Sequence, residues 1–172
     1  MTQHAGDIDA VPDGEAMRAL TLDVGGEVFA IEATSVREIL DMVPVTEVPN
    51  APAFVGGLIN VRGRVVPLAD LRVKFGMEHR PPDNDTRIVV FEITLEEEPT
   101  VVGMLADRVH TVADIALSAM EAAPKVGMRW RPEFVRGIAK HEGNFIVVPE
   151  MNQVFSNGAS AAAMSENESR AG

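Results

Sequence analysis

Residues 54–75 read FVGGLINVRGRVVPLADLRVKF, and residues 134–155, FVRGIAKHEGNFIVVPEMNQVF, repeat this pattern at an offset of 80. Identical residues within and just before these segments are Pro52/Pro132, Phe54/Phe134, Val55/Val135, Gly57/Gly137, Gly63/Gly143 and Phe75/Phe155. Weaker matches continue upstream, where residues 28–36 align with residues 101–109, and residues 18–24 align with residues 87–93. We therefore predict two copies of one unit, roughly 17–75 and 86–155, joined by 76–85.

Short aliphatic runs separated by turn residues make up each copy, which is typical of β-structure. RALTLDVGG (18–26) alternates with a period of two, and EVFAIEA (27–33) follows at once, so a hairpin is predicted with its turn at Gly25-Gly26. Residues 86–109 repeat this design, with Glu96 to Pro99 as the turn. Each copy has about five short strands, which favours a small closed barrel because closure removes exposed strand edges.

Two short helices are predicted. Ser35-Val36-Arg37-Glu38 has the form of a capping box and predicts a helix that runs to about Asp41. Asp70 can cap a second helix over LRVKF (71–75), which ends at Gly76. The expected fold is mainly β.

The composition excludes several classes of partner. Hydrophobic residues make up 46% of the 172 residues, and the formal net charge is −11. Since phosphates and anionic lipids attract clustered cations, we expect no nucleic acid partner and no direct membrane insertion. The chain has no cysteine, no apolar run near the ~20 residues of a membrane span and no signal-peptide pattern, which predicts a cytoplasmic protein. Residues 1–16 and 156–172 lack a periodic apolar face and are predicted to be disordered tails.

Motifs for catalysis are missing from the sequence. It contains no phosphate-binding GxxxxGK[ST] loop, no HExxH pair and no GxSxG elbow. His141 beside Glu142 is interpreted as an exposed turn residue, because acid–base chemistry requires a concave site. We expect a protein without enzymatic activity, cofactor or metal.

The glycine turns of the two copies differ in their neighbours. Gly63 and Gly143 are expected at hairpin tips that need a positive φ angle. The flanking residues are Arg62 and Arg64 in one copy, and Glu142 and Asn144 in the other. The turn therefore requires the glycine but not the arginines. Arg62 is a candidate for recognition, since a guanidinium can bind a carboxylate through two parallel hydrogen bonds.

The string N-x-R-G-x-x-x-P-x-x-D-L-R, residues 60–72, resembles the CheW-like family of bacterial chemotaxis adaptors. Supporting segments are VFAIEATSVREIL (28–40), VPNAPAFVGG (48–57), VVGMLADRVHTV (101–112) and PEFVRGIAKHEGNFIVV (132–148). The similarity spans 17–155 and implies two intimately packed five-stranded SH3-like β-barrel subdomains. It also implies an adaptor that binds the regulatory domain of the histidine kinase CheA and the cytoplasmic tips of methyl-accepting chemoreceptors. Other CheW-like domains in signalling arrays are further partners that the resemblance allows.

The same resemblance assigns candidate binding residues. Receptor binding is assigned to Val36, Asn60, Val61, Arg62 and Gly63, and kinase binding to Glu38, Ile39, Met42, Val45, Gly57 and Val65. The kinase set is expected to lie apart from Arg62. Spacing alone favours burial of Val36 and Ile39 on a short helix, whereas the resemblance places Val36 in a groove that accepts a receptor hairpin. Glu38 can serve both the capping box and the kinase contact.

The sequence departs from the family pattern at Pro149, which stands where a strand would run on. Because proline lacks a ladder donor, this strand is expected to be shortened or to lie at a sheet edge. Two other functions compete with the first. One is the same type of adaptor in a second chemosensory pathway, such as one for surface motility. The other is a β-barrel sensor of a small ligand, which would require a pocket with converging polar groups.

Overall fold

Strands account for most of the chain that the computed structural model describes, residues 15–124 and 131–156. Their bounds are β1 (Ala16–Val24), β2 (Glu27–Glu32), β3 (Val36–Leu40), β4 (Thr46–Glu47), β5 (Gly57–Val61), β6 (Arg64–Ala69), β7 (Arg87–Leu95), β8 (Glu98–Ala106), β9 (Arg108–Ala116), β10 (Met120–Glu121), β11 (Val135–His141) and β12 (Asn144–Pro149). Helix α1 (Leu71–Lys74) and a helix at 151–156 are short, as are the 3-10 turns Ala33–Ser35, Ala53–Val55, Leu117–Ala119 and Pro132–Phe134.

The predicted tails, 1–16 and 156–172, fall almost entirely outside the described residues. Within them the structure describes Glu15, Ala16 and Ser156, of which Ala16 begins β1 and Ser156 is helical. No helix in the described ranges has the length and apolar character that a membrane crossing requires.

The strands form two six-stranded sheets. Sheet I has the order β10-β11-β12-β2-β1-β9, and sheet II has the order β3-β7-β8-β6-β5-β4. Since β4 and β10 have only two residues each, every sheet has five longer strands. The predicted mainly-β fold with few short helices is therefore confirmed, with one short strand more per sheet than the expected five.

Each sheet contains strands from both halves of the chain. The hairpin β1–β2 joins β9 to β12 in sheet I, whereas the hairpin β7–β8 from the second half joins β3 to β6 in sheet II. Each inserted hairpin pairs antiparallel on one side, β1 with β9 and β7 with β3, and parallel on the other, β2 with β12 and β8 with β6. Each copy lends its first hairpin to the other sheet, so each sheet combines strands from both copies.

The two sheets have equivalent hydrogen-bond registers. Matching pairs are Leu20↔Ile31 and Val89↔Met104, Ile59↔Val66 and Ala139↔Ile146, and Val109↔Leu22 and Val36↔Phe91. Both edge strands, β3 and β9, also carry an irregularity at the same place in their ladder. A residue in one sheet can therefore be compared with its counterpart in the other.

Three apolar clusters hold the sheets together. The largest contains side chains of both sheets and most of the phenylalanine rings, namely Phe29, Phe54, Phe75, Phe91, Phe134 and Phe155. Phe29 and Phe75 meet edge to face with ring centroids 5.3 Å apart, a favoured aromatic geometry. A smaller cluster around Ile115 belongs to sheet I, and another around Ile88 belongs to sheet II. The two subdomains are thus packed against each other through a common core.

One predicted helix is confirmed and the other is wrong. The Asp70 carboxylate accepts a hydrogen bond from the backbone N–H of Arg72 at 3.0 Å and caps α1, as expected. The capping box at Ser35 begins no helix, since Val36–Leu40 form β3 and pair with β7. β-branched residues such as Val36 and Ile39 suit a strand, and pairing with β7 outweighs a local capping pattern.

The expectation for Pro149 is also wrong. Strand β12 runs through Pro149 and is six residues long, as is its counterpart β6. It lies inside sheet I, between β11 and β2. The parallel contact with β2 is at Val147, two residues before Pro149, whereas in sheet II Ala69 itself pairs with Met104. The proline is tolerated because its missing N–H falls beyond the parallel ladder.

Candidate functional site

The tip of hairpin β5–β6 is a tight turn with two residues of positive φ. Arg62 has φ of 54° and Gly63 has φ of 84°, the combination typical of a two-residue type I′ turn. The Asn60 side chain accepts a hydrogen bond from the Gly63 N–H at 2.8 Å and so fixes the tip. Gly63 has the predicted positive φ, and Asn60 has a local structural role in addition to the predicted receptor contact.

The guanidinium of Arg62 lies against the carboxylate of Glu38 on β3. Arg62 Nε donates to Glu38 Oε1 at 3.0 Å and Nη2 donates to the same oxygen at 2.9 Å, with a further contact from Nε to Oε2 at 3.2 Å. These hydrogen bonds, and the attraction of the Glu38 charge, raise the pKa of Arg62 above its ordinary value. The Arg62 side chain is 80% exposed and that of Glu38 is 21% exposed, so the guanidinium faces solvent while its partner is held in the sheet.

Exposed apolar side chains also occur on sheet II and on the segment that follows β3. Val65 is 72% exposed, Ile39 is 43% exposed and Val45 is 39% exposed, which makes them three of the five large hydrophobic residues that are exposed in the described chain. All three belong to the predicted kinase set. Such side chains cost free energy in water, so an association surface accounts for them better than the fold does.

Two residues of the predicted kinase set lie beside the receptor set. Glu38 of the kinase set binds Arg62 of the receptor set, and Val65 lies directly opposite Asn60 in the β5–β6 ladder. The expectation that the kinase set lies apart from Arg62 is therefore wrong for Glu38 and Val65. Arg62 and Glu38 are distant in sequence but close in space, because the β5–β6 tip lies against β3.

Other members of the sets are mainly structural. Val61 is buried in the sheet II cluster, and Val36 is half-buried against the common core. Met42 is half-buried and packs against the sheet II cluster. A Cβ atom added to buried Gly57 would lie 2.4 Å from Cγ1 of Val45, which is too close for any unmoved neighbour. Gly57 therefore allows the chain segment that carries Val45 to pack closely on β5.

Sheet I carries apolar residues at the corresponding positions, which sequence reasoning missed. Phe145 is 68% exposed and corresponds to Val65, and Val112 is 48% exposed and corresponds to Ile39. The ion pair between Arg37 and Glu92 in sheet II likewise has its counterpart in His110 and Asp23, 2.9 Å apart. The signal was present in the repeat, because both apolar pairs follow from its offsets of 80 and 73.

A second arginine of the 60–72 string is nearly buried. Arg72, whose side chain is 9% exposed, donates to both oxygens of Asp70 at 2.9 Å, to the carbonyl oxygen of Arg80 at 3.1 Å and to Asp107 Oδ1 at 3.5 Å. The bonds to Asp70 raise the pKa of Arg72 above its ordinary value. Asp107 also accepts a hydrogen bond from the Gly25 N–H at 2.7 Å. Arg72 thus connects α1 to the ends of both hairpins and has a structural role.

Two packed β-subdomains that exchange hairpins and present exposed apolar side chains are typical of an interaction domain. Residues 18–159 match the family model for the CheW-like domain, and the chain belongs to this family. It is 33% identical over 132 residues to the chemotaxis protein CheW of Rhizobium meliloti (strain 1021), covering 77% of this chain and 83% of that protein. It is 27% identical over 125 residues to protein PilI of Pseudomonas aeruginosa, covering 72% and 67% of the two chains.

A solved structure shows the same fold. The crystal structure of the scaffolding protein TtCheW from Thermoanaerobacter tengcongensis matches with a TM-score of 0.72 at 28% sequence identity, covering 81% of this chain and 88% of that chain. The relative is described as a scaffolding protein.

Proposed function

We propose that this protein is a non-catalytic, cytoplasmic adaptor that couples the tips of chemoreceptors to the histidine kinase CheA in signalling arrays. Membership of the CheW-like family supports the general role. The observation that carries the proposal is a set of exposed side chains in the first half of the chain, namely apolar Val65, Ile39 and Val45 and the guanidinium of Arg62, which binds Glu38 beside Ile39. Exposed apolar side chains together with an arginine are features that protein interfaces favour at their centre.

Val65 provides the sharpest test of the kinase contact. Because it is 72% exposed, Val65→Asp should leave the fold intact, while a charge buried in the interface should weaken kinase binding by about tenfold or more. Calorimetric titration of the full chain with the CheA regulatory domain measures this. The matched control is Phe145→Asp at the corresponding position of sheet I, for which kinase affinity should stay unchanged. Equal affinities for wild type and Val65→Asp would place the kinase contact elsewhere.

Reconstitution tests the adaptor role itself. Wild-type protein mixed with CheA and a receptor cytoplasmic fragment should make kinase output depend on the receptor, without acquiring phosphate from labelled ATP. Failure to bind either partner, or phosphate on the protein, would contradict the proposal.

A second candidate is the same kind of adaptor in another chemosensory pathway, for instance one that controls surface motility. The similarity to PilI, whose name differs from those of the chemotaxis proteins, supports this candidate. Deletion of the gene decides between them. Loss of swimming chemotaxis with normal surface motility supports the first function, and the reverse outcome supports the second.

A further inference from the structure

A cavity of about 190 Å³ lies where the two sheets meet, beside the helix at 151–156. Its lining includes Glu32 of β2, Glu92 and Thr94 of β7, and Glu150 and Asn152 at the start of the helix. A cavity of roughly 150 Å³ can hold a benzene molecule, so this one has room for a group of about that size.

The equivalent place at the other end of the molecule is already filled. By the repeat offsets, Glu150 corresponds to Asp70 and Asn152 corresponds to Arg72. Glu92 and Thr94 correspond in the same way to positions 23 and 25 of hairpin β1–β2. In that place the guanidinium of Arg72 lies between the helix and the hairpin, with two oxygens of Asp70 at 2.9 Å and Asp107 at 3.5 Å.

The cavity keeps one of the two acids of this arrangement, because Glu150 corresponds to Asp70 whereas Thr34 corresponds to Asp107, and it lacks the arginine at the position of Asn152. The Asn152 side chain is too short to make the contacts that Arg72 makes with groups beyond its own helix. Glu92 is paired with Arg37, but within the described residues neither Glu32 nor Glu150 has an ion-pair partner. Arg136 also lines the cavity, and its guanidinium contacts the sulfur of Met17 at 3.8 Å. Glu150 thus lines a cavity whose counterpart in the repeated copy holds a guanidinium, and Glu32 adds a second unpaired carboxylate to the lining.

We propose that this cavity is a socket for an arginine side chain that a partner protein supplies. The occupant is an arginine because the same fold element binds one at the corresponding site, and because a planar guanidinium can bridge a carboxylate and a backbone carbonyl as Arg72 does. The charge of Glu32 and Glu150 attracts the cation. The socket follows from the internal repeat and does not depend on which protein provides the side chain.

Methyl NMR of the full chain tests the socket directly, since Met17 and Met151 both line it. The probe is N-acetyl-arginine amide, and N-acetyl-citrulline amide is its uncharged counterpart of nearly the same shape. We expect saturable shifts of these two methyl signals with the arginine probe, in the millimolar range expected for a single side chain. Glu150→Gln should weaken this binding severalfold, whereas Glu142→Gln, on the exposed tip of β11–β12, should not change it. Absence of saturable shifts, or equal shifts with the citrulline probe, would overturn the proposal.

Asn152→Arg closes the socket from within by restoring the residue present in the other copy. We expect this variant to fold, to bind the arginine probe at least tenfold more weakly, and to melt at a higher temperature. Undiminished probe binding would overturn the proposal. A further arm rests on the proposed function: Asn152→Arg should weaken binding of either the receptor fragment or the CheA regulatory domain by about tenfold. Unchanged affinity for both would rule out a role of the socket in these complexes, while the probe titration reports on the socket alone.

Discussion

Arg62 occupies a left-handed backbone conformation, with φ of 54°, that disfavours residues with a Cβ atom. Glycine fits this position better, so Arg62→Gly should keep or raise the melting temperature while it removes the guanidinium. We expect receptor-fragment affinity to fall by about tenfold through loss of charge-assisted hydrogen bonds. Because the hairpin is not weakened, a loss of binding can be assigned to the side chain.

Glu142 provides the matched control for Arg62. It has nearly the same φ, 52°, at the corresponding tip of sheet I. Glu142→Gly should leave receptor affinity unchanged, and Arg62→Lys should restore only part of the loss because an ammonium lacks the planar fork. If Arg62→Gly binds the receptor fragment as wild type does, Arg62 is an ordinary turn residue.

Gly57 and Val45 are coupled through a single close approach. Since a Cβ at position 57 would lie 2.4 Å from Val45 Cγ1, Gly57→Ala should push Val45 aside and destabilise the protein by about 1–3 kcal/mol. Val45→Ala removes the obstructing methyl group, so Gly57→Ala should cost little in that background. Urea denaturation of the two single variants and the double variant measures the coupling. Additive costs would show that the clash is relieved in some other way.

At the scale of elements, Arg72 connects the short helix α1 to Arg80 and Asp107, which are distant in sequence. Arg72→Met keeps most of the apolar stem but leaves Asp70 and Asp107 without their shared cation. Breaking a nearly buried ion pair from one side costs about 3–5 kcal/mol, so thermal unfolding should begin on the order of ten degrees lower. Arg64→Met, at an exposed position of β6, should change the melting temperature little. A small effect at Arg72 would show that the two aspartates find other partners.

The elements also show which parts of the fold could be predicted from the sequence. The hairpin at Gly25-Gly26 and the cap at Asp70 depend on neighbouring residues, and both were predicted correctly. The segment after Ser35 carries an equally good local signal for a helix, yet its conformation depends on β7, which lies about fifty residues away in sequence. The pairing of Arg62 with Glu38 could not be predicted either. It requires β3 to be a strand that lies within reach of the β5–β6 tip, and this also depends on contacts distant in sequence.

The whole molecule depends on the exchange of hairpins between the two halves. Sheet I lacks β1 and β2 without the first half, and sheet II lacks β7 and β8 without the second. Fragments 1–80 and 81–172 should therefore show no cooperative unfolding when studied separately, and an equimolar mixture should recover the cooperative transition of the intact chain. Circular dichroism on heating detects this. A cooperative transition in fragment 1–80 alone would show that sheet II can form without β7 and β8.

The exchange of hairpins also sets a delay during synthesis on the ribosome. Phe29 in β2 pairs with Val147 in β12, so the first hairpin leaves the ribosome long before its sheet neighbour exists. At roughly 5–20 residues per second, the intervening chain takes on the order of ten seconds to make. Throughout that time the apolar edge of β1–β2 is open to other nascent chains. We expect the nascent protein to bind ribosome-associated chaperones. The folded protein should not need them, because β2 is then paired with β12.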